Sequence, residues 1–322
     1  MLINNLKKIW DQLLINWQKQ RQLPGLVGIH FNEEGFALSY ILKNAEAKPR
    51  LELGDFVNCK EEDFAQKLKD KVDFYQLKDA QCTWILNRAD YHLLTIDMPK
   101  VPAEELPSAV QWLVKDLVDF PIHKASVDFF EIPETIMRQP RKLFVVVTQK
   151  KYLEEKAALI NASGLSLAYI DINVLALRHL ASIFTQAQRD LALLHLEKDS
   201  CSMVILSGLA LCLVRQIDVD LANLNQSQVN AQIMEENLST EIRRTLEYWA
   251  DQMPQVTPKQ IFFLPLTEQY TSVNRYLAKE LAEMIQEIDF ARLLEIPKPI
   301  DREILAHCAL AICGALREKD IL

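Results

Sequence analysis

Residues 26–41 read LVGIHFNEEGFALSYI, and the reading of this stretch decides the fold. Two apolar runs, 26–31 and 36–41, flank the tetrad Asn32-Glu33-Glu34-Gly35. Apolar and β-branched runs around a polar, glycine-ended turn predict a β-hairpin. A hairpin of this shape can hold a phosphate in its turn. Backbone N–H groups must then approach the anion closely, which favours glycine, serine and threonine. Such a turn usually begins with an aspartate. Here His30 stands at that place, and the turn itself carries two carboxylates.

Working outward, 50–53 reads as a third strand, 61–72 as a helix with Phe64, Leu68 and Val72 on one face, and 81–86 as a buried strand. This β-β-β-α-β order is one layer of a mixed α/β domain. The same order returns later: strands at 191–196, 201–206 and 209–217, helices at 225–236 and 239–251, and a buried strand at 261–264. Helices are expected at 273–285 and 303–317. Between the two layers, 93–172 reads as a compact module: a helix from Pro102, strands at 126–132 and 141–148, a helix at 152–162 and a strand at 166–172. The residues thus predict internal pseudo-duplication. Segment 1–22 is set apart, and 23–92 with 173–190 forms a first-half core to which the helix in 303–322 returns. Residues 93–172 are the insert and 191–302 the second half.

The composition fits this plan. A chain of 322 residues, 49% hydrophobic and 25% charged, supports a full core in more than one domain. A net charge of −8 argues against a broad nucleic-acid surface. The six cysteines, at 59, 82, 201, 212, 308 and 313, form no C-x-x-C pair and sit mostly in apolar runs, as reduced core residues do. There is no signal peptide and no apolar run long enough to span a bilayer. Glycine is scarce: 7 of 322 residues, about 2% where about 7% is usual. None belongs to a GxGxxG or GxxxxGK[ST] pattern. Residues 2–20 form an amphipathic helix candidate with Trp10 and Trp17 and a local excess of lysine and arginine. Such a helix either lies on an anionic membrane surface or packs on its own domain or an oligomer partner.

Three stretches carry a resemblance. Residues 84–133 run from strand WIL through a helix start at VPAEEL to the helix end FPI and the strand SVDFFEI. Residues 142–180, KLFVVVTQKKYLEEKAALINASGLSLAYIDINVLALRHL, join a strand, a helix, a glycine cap and the junction at Asp171. Residues 238–252, LSTEIRRTLEYWADQ, form a helix. In this order they resemble the PilM-type proteins of type IV pilus biogenesis, within the FtsA/PilM branch of the actin-like fold, and most nearly the MshI-like proteins of MSHA pilus systems. The resemblance covers 26–318. It implies an α/β actin-like fold of two halves with an extra α+β subdomain in the first. It also implies a cytoplasmic protein peripheral to the inner membrane, bound to the cytoplasmic tail of a PilN-type partner. Typical members bind ATP and magnesium between the halves.

The site departs from that pattern. Both phosphate hairpins resemble D-(I/L)-G only in frame: the first has His30, Asn32 and Glu33, the second His195 and Glu197. The turn after 261–264, which would meet the adenosine, is Pro265-Leu266-Thr267-Glu268-Gln269. One pair of like charges at ~4 Å and an effective dielectric of ~20 costs about 4 kcal/mol. Micromolar affinity is only about 8 kcal/mol. The expectation is a degenerate cleft with no cofactor, no metal and no catalytic residue: a pseudo-ATPase acting as a scaffold. His30 and His195 read alternatively as metal ligands or an acid–base pair across the cleft. Two other functions stand beside the scaffold: an active actin-fold ATP-binding protein of the same machinery, and the cytoplasmic L-type component of type II secretion. The latter continues into a membrane span, which this chain lacks. For the partner, Trp112, Phe120, Pro121 and Ile122 at the helix end read either as peptide anchors or as the insert's own core.

Overall fold

The computed structural model describes residues 23–43, 47–132, 141–184, 190–198, 200–219, 221, 228–253, 258–281 and 284–318. The helix expected at 2–20, with its membrane reading, lies outside these residues.

The opening hairpin forms as read. Strands β1 (Gly25–Asn32) and β2 (Gly35–Leu42) pair antiparallel, with Asn32 opposite Gly35 and His30 opposite Ala37. Strand β3 (Arg50–Asn58) extends further than expected and pairs with β2 past a bulge at Tyr40/Ile41. Helix α1 (Phe64–Phe74) buries Phe64, Leu68 and Val72, and strand β4 (Gln81–Leu86) runs parallel to β1. The insert follows: β5 (His92–Asp97), α2 (Leu106–Val114), β6 (Ala125–Glu131), β7 (Lys142–Gln149) and α3 (Lys150–Ala162). Its sheet has the order β5-β7-β6. Val110 and Val114 of α2 pack on Leu143, Val145 and Val147 of β7.

Strand β8 (Ser166–Ile172) falls differently from its sequence grouping. It pairs parallel with β4 and completes the first sheet, in the order β3-β2-β1-β4-β8, rather than joining the insert's sheet. Its Ile172 belongs to the first-half core, and a strand read only by its apolar alternation does not reveal which sheet it joins. Helix α4 (Asn173–Ala181) is buried along its whole length.

The second half repeats the plan. β9 (Asp190–Leu196), β10 (Ser200–Ser207), β11 (Ala210–Asp218), α5 (Gln228–Gln252) and β12 (Ile261–Phe263) precede α6 (Thr271–Glu280) and β13 (Ile285–Glu287). The sheet order is β11-β10-β9-β12-β13, position for position that of the first. The two helices expected around 225–251 are one. Ser239 and Thr245 donate their hydroxyls to the Glu236 and Glu241 carbonyls within the helix, so they do not break it. The helix expected over 273–285 stops at Glu280, and Ile285–Glu287 becomes a strand parallel to β12. The terminal helix is two, α8 (Arg302–His307) and α9 (Ala309–Ala315), joined at Cys308. A short helix α7 (Phe290–Leu293) precedes them.

Helix α9 lies on the first sheet, packed closely on β1, β2 and β4, and also meets α4, which packs on β10 and β11. Its approach to β1 needs glycine. A Cβ on Gly28 would fall 1.8 Å from the Ala311 carbonyl oxygen, and one on Gly314 2.7 Å from Ile85. Gly28, in the hairpin that looked built for an anion, is used for helix–sheet packing. Where these helices meet, Asp171 at the end of β8 accepts hydrogen bonds from His179 Nε2 of α4, at 2.7 Å, and from Arg317 Nη1 just past α9. All three side chains are buried. Asp171 is thus a structural joint, as its place in the sequence suggested. The six cysteines are free and buried.

Candidate functional site: the cleft between the two sheets

The first turn is closed on itself. Asn32 Oδ1 accepts from the backbone N–H of Glu34 at 3.0 Å and of Gly35 at 2.9 Å. These are donors of the kind a phosphate in the turn would need, and the side chain of Asn32 already holds them. Gly35 lies at φ +154°, where a Cβ would meet the Val57 carbonyl 1.9 Å away. Behind the turn, Cys59 N–H donates to the Glu34 carbonyl.

His30 points inward and is buried. Its Nε2 lies 2.6 Å from Asn87 Oδ1. Asn87 donates through Nδ2 to the Phe31 carbonyl, so its Oδ1 must accept and the His30 proton sits on Nε2. Asn87 belongs to a turn cap with Asp90, whose Oδ2 accepts from the Asn87 N–H at 2.8 Å. Burial pushes the His30 pKa down, against the opposing pull of Glu197; His195 adds to the lowering.

His195, on β9, holds the matching position in the second half. Burial pushes its pKa down to about 4, so it is neutral at pH 7. Its Nδ1 has no hydrogen-bond partner, and Glu197 Oε1 stands 3.9 Å away. The second turn is also tied internally: Glu197 N–H donates to the Ser200 carbonyl at 2.7 Å, and Ser200 Oγ to Glu197 Oε2 at 3.1 Å. The two turns meet. Lys198 Nζ of the second donates to Glu33 Oε2 of the first at 2.8 Å. Some of the negative charge expected to repel phosphate is therefore offset by the chain's own ammonium. Beside this contact, His307 of α8 stacks on Phe56 and stands 3.8 Å from Glu34. At the third turn, Glu303 Oε2 accepts the Glu268 N–H at 2.7 Å.

Below the histidines a chain of polar contacts joins the halves. Tyr91 donates its hydroxyl to Asn173 Oδ1 at 2.6 Å; Asn173 Nδ2 reaches Ser202 Oγ at 3.4 Å; Ser202 donates to Gln216 Oε1 at 3.1 Å. Burial pushes the Tyr91 and Cys201 pKa values up, so both stay protonated at neutral pH. Among the described residues, no group of three or more His, Cys, Asp or Glu is placed to hold a metal ion.

The structure brings His30, Asn32, Glu33, His195 and Glu197 to one cleft, as the pseudo-duplication required. It does not bring the four partner-anchor candidates into one surface. Trp112 is 65% exposed, with Lys115 Nζ 4.5 Å above its ring. Phe120 and Ile122 are half-buried in the insert's own core, and Phe120 lies against His92. Pro121 is exposed. Leu113 and Leu117 are the other large exposed apolar residues near Trp112. Sequence reading missed Asn87 and Lys198 as cleft residues. Asn87 carried a signal, an Asn-x-x-Asp cap directly after a buried strand. Lys198 carried none, because its partner is 165 residues away.

No family model matches the sequence, and no curated protein does. Among solved structures, the chain is similar to the PilM-PilN type IV pilus biogenesis complex, with a TM-score of 0.69 at 18% identity, over 91% of this chain and 98% of that one. It is less similar to the cytoplasmic domain of EpsL, an inner-membrane component of the Vibrio cholerae type II secretion system (TM-score 0.48, 12% identity, 89% and 94% covered). A protein with an actin-like ATPase fold from Bacteroides thetaiotaomicron gives 0.46 at 10% identity, over 88% and 96%. The chain has the actin-like fold in its PilM form: two pseudo-repeated halves with an added α+β unit in the first. Among the described residues, no helix is long and apolar enough to cross a membrane.

Proposed function

We propose that this chain is a PilM-type scaffold of type IV pilus assembly, of the MshI-like kind, whose cleft takes no nucleotide. It works in the cytoplasm beside the inner membrane and binds the cytoplasmic tail of a PilN-type protein. The observation that carries the cleft reading is the closed first turn. Asn32 Oδ1 takes the Glu34 and Gly35 N–H groups that a phosphate would use. The rest of the donor set is equally unsuited to a magnesium-bound polyphosphate. Two neutral imidazoles stand at the positions of the metal-holding carboxylates, and Glu197 and Glu303 present negative charge at the other two turns. Restoring an anion site would mean breaking the Asn32 bonds and expelling Lys198 from Glu33. In this reading the cleft holds the halves together, through the Lys198–Glu33 contact and the Tyr91–Asn173–Ser202 chain.

The fold likeness to a PilM-PilN complex supports the partner. The surface with the right chemistry is the outer side of α2 and the turn after it, where Trp112, Leu113 and Leu117 expose apolar area. Exposed tryptophan is a frequent anchor at such contacts. Isothermal titration with Mg-ATP tests the cleft: a saturating low-micromolar heat would overturn it. Pull-down with a PilN-type tail tests the surface. Trp112→Ala, in a chain of unchanged melting temperature, is expected to lose the tail, and unchanged capture would remove α2 from the reading.

A further inference from the structure

The two sheets share one strand order, so β3 and β11 are equivalent outer strands. Their edges are treated differently. The chain covers part of the β3 edge with its own extended segment: Leu51 N–H donates to the Glu295 carbonyl at 2.8 Å, and Glu295 N–H to the Pro49 carbonyl at 3.0 Å. The docked residues have an apolar–acid–apolar pattern. Leu294 is buried, Ile296 packs on the core, and the Glu295 carboxylate faces Arg50 at 3.9 Å. On β11, nothing among the described residues pairs with the outer side. Instead a groove of about 390 Å³ opens between β11 and α5, lined by Leu213, Val214, Arg215, Glu241, Arg244 and Tyr248. Tyr248 is 60% exposed. Glu241 accepts from Arg215 at 3.2 Å and from Arg244 at 2.8 Å, so two guanidinium groups share one carboxylate. In a chain of net charge −8, the charged residues lining this groove are two arginines and one glutamate.

We propose that the β11 edge is a docking site for an extended segment of another protein, in which apolar residues alternate with carboxylates. The segment adds a strand to β11 through backbone hydrogen bonds. Its apolar side chains enter the groove beside Tyr248, and a carboxylate pairs with Arg215 and Arg244. The mode repeats what the chain does to itself at β3. An uncovered strand edge is an adhesive surface that folded proteins ordinarily blunt. This surface lies in the second half, away from α2, and the proposal does not rest on the tail-binding reading.

The test uses the full chain and a fluorescein-labelled octapeptide alternating leucine or valine with glutamate. A control peptide has lysine for glutamate. Anisotropy is expected to show saturable binding of the acidic peptide, with slowed amide exchange confined to 210–218. The lysine peptide and the Arg215→Glu/Arg244→Glu variant are each expected to bind at least tenfold more weakly. Both arginine side chains are more than half exposed, so their reversal leaves the core intact. Tyr248→Ala gives a second variant with the charges kept, also expected to weaken binding. Absence of saturable binding, equal binding of the lysine peptide, unchanged affinity in both variants, or protection outside β11 would each overturn the proposal. A concentration-dependent dimer that protects the same amides without peptide would replace the partner segment with a second copy of this chain.

Discussion

Replacing Asp171 by alanine should be the most damaging single change in the axis of the molecule. Its carboxylate holds His179 Nε2 at 2.7 Å and Arg317 Nη1, with all three side chains less than a tenth exposed. Burial pushes the His179 pKa down, so the histidine stays neutral and the charges that Asp171 balances are those of Arg317, which it bonds, and of the buried Arg178. Removing the carboxylate strands a buried guanidinium, and breaking a buried pair from one side costs about 3–5 kcal/mol. Since domains are stable by only about 5–15 kcal/mol, that is a large share of the whole. Removing both charges is different: an apolar pair of similar volume often restores stability. Urea unfolding followed by tryptophan fluorescence should show Asp171→Ala strongly destabilised. Asp171→Leu with Arg317→Met should lie closer to the parent than either single change. A loss below about 1 kcal/mol for Asp171→Ala, or simple additivity in the double variant, would refute the view that this ion pair joins β8, α4 and the C-terminal helix.

Gly28→Ala should cost at least about 1–3 kcal/mol, because the new methyl group meets the backbone of α9 and not a side chain that can turn away; thermal unfolding would measure it. The cleft histidines give a pH dependence. Their folded pKa values lie below the ordinary value near 6.5, so the unfolded chain binds more protons in that window. Their contribution is complete above pH 6.5 and falls as the pH drops, for His195 down to about pH 4, by up to about 1.4 kcal/mol per pH unit for each histidine. His195→Gln should flatten that slope between pH 6.5 and 5, and an unchanged slope would acquit the imidazole. Lys198→Ala removes an exposed pair worth about 0–1 kcal/mol, so melting should barely move. It should not create ATP binding either, since the Asn32 bonds remain; a nucleotide-dependent thermal shift in that variant would contradict this.

Much of the fold was legible because period and order survive substitution. The pairs β1–β2 and β9–β10, and the helix-then-strand that follows each sheet's third strand, could be read from apolar runs alone. What could not be read was membership. β8 is an ordinary apolar segment and β13 a three-residue Ile-Gln-Glu run, and only tertiary pairing tells which sheet each joins. The cleft was legible as a set of residue types at matching places, His30 with His195 and Asn32 with Glu197. Its geometry was not. The Glu33–Lys198 contact spans the two halves, and the Asn32 side chain could face either way until the turn was built. Of the two readings kept open for the helix-end residues, Phe120 and Ile122 pack partly into the insert's own core, which their sequence neighbours alone do not decide.

The glycine contact between β1 and α9 also sets a schedule for biosynthesis. Leu42 ends the opening hairpin, while the helix that covers its inner face ends only at Ala315. At about 5–20 residues per second, the intervening chain takes about 14–55 s to emerge. Through that interval Ala37, Ile41 and Ile85, which share the Gly28 face of the nascent first sheet, lack their final cover. The first sheet is complete only when α9 arrives, so a truncation that removes the final turn of α9 should harm solubility more than any loss of surface contacts would suggest.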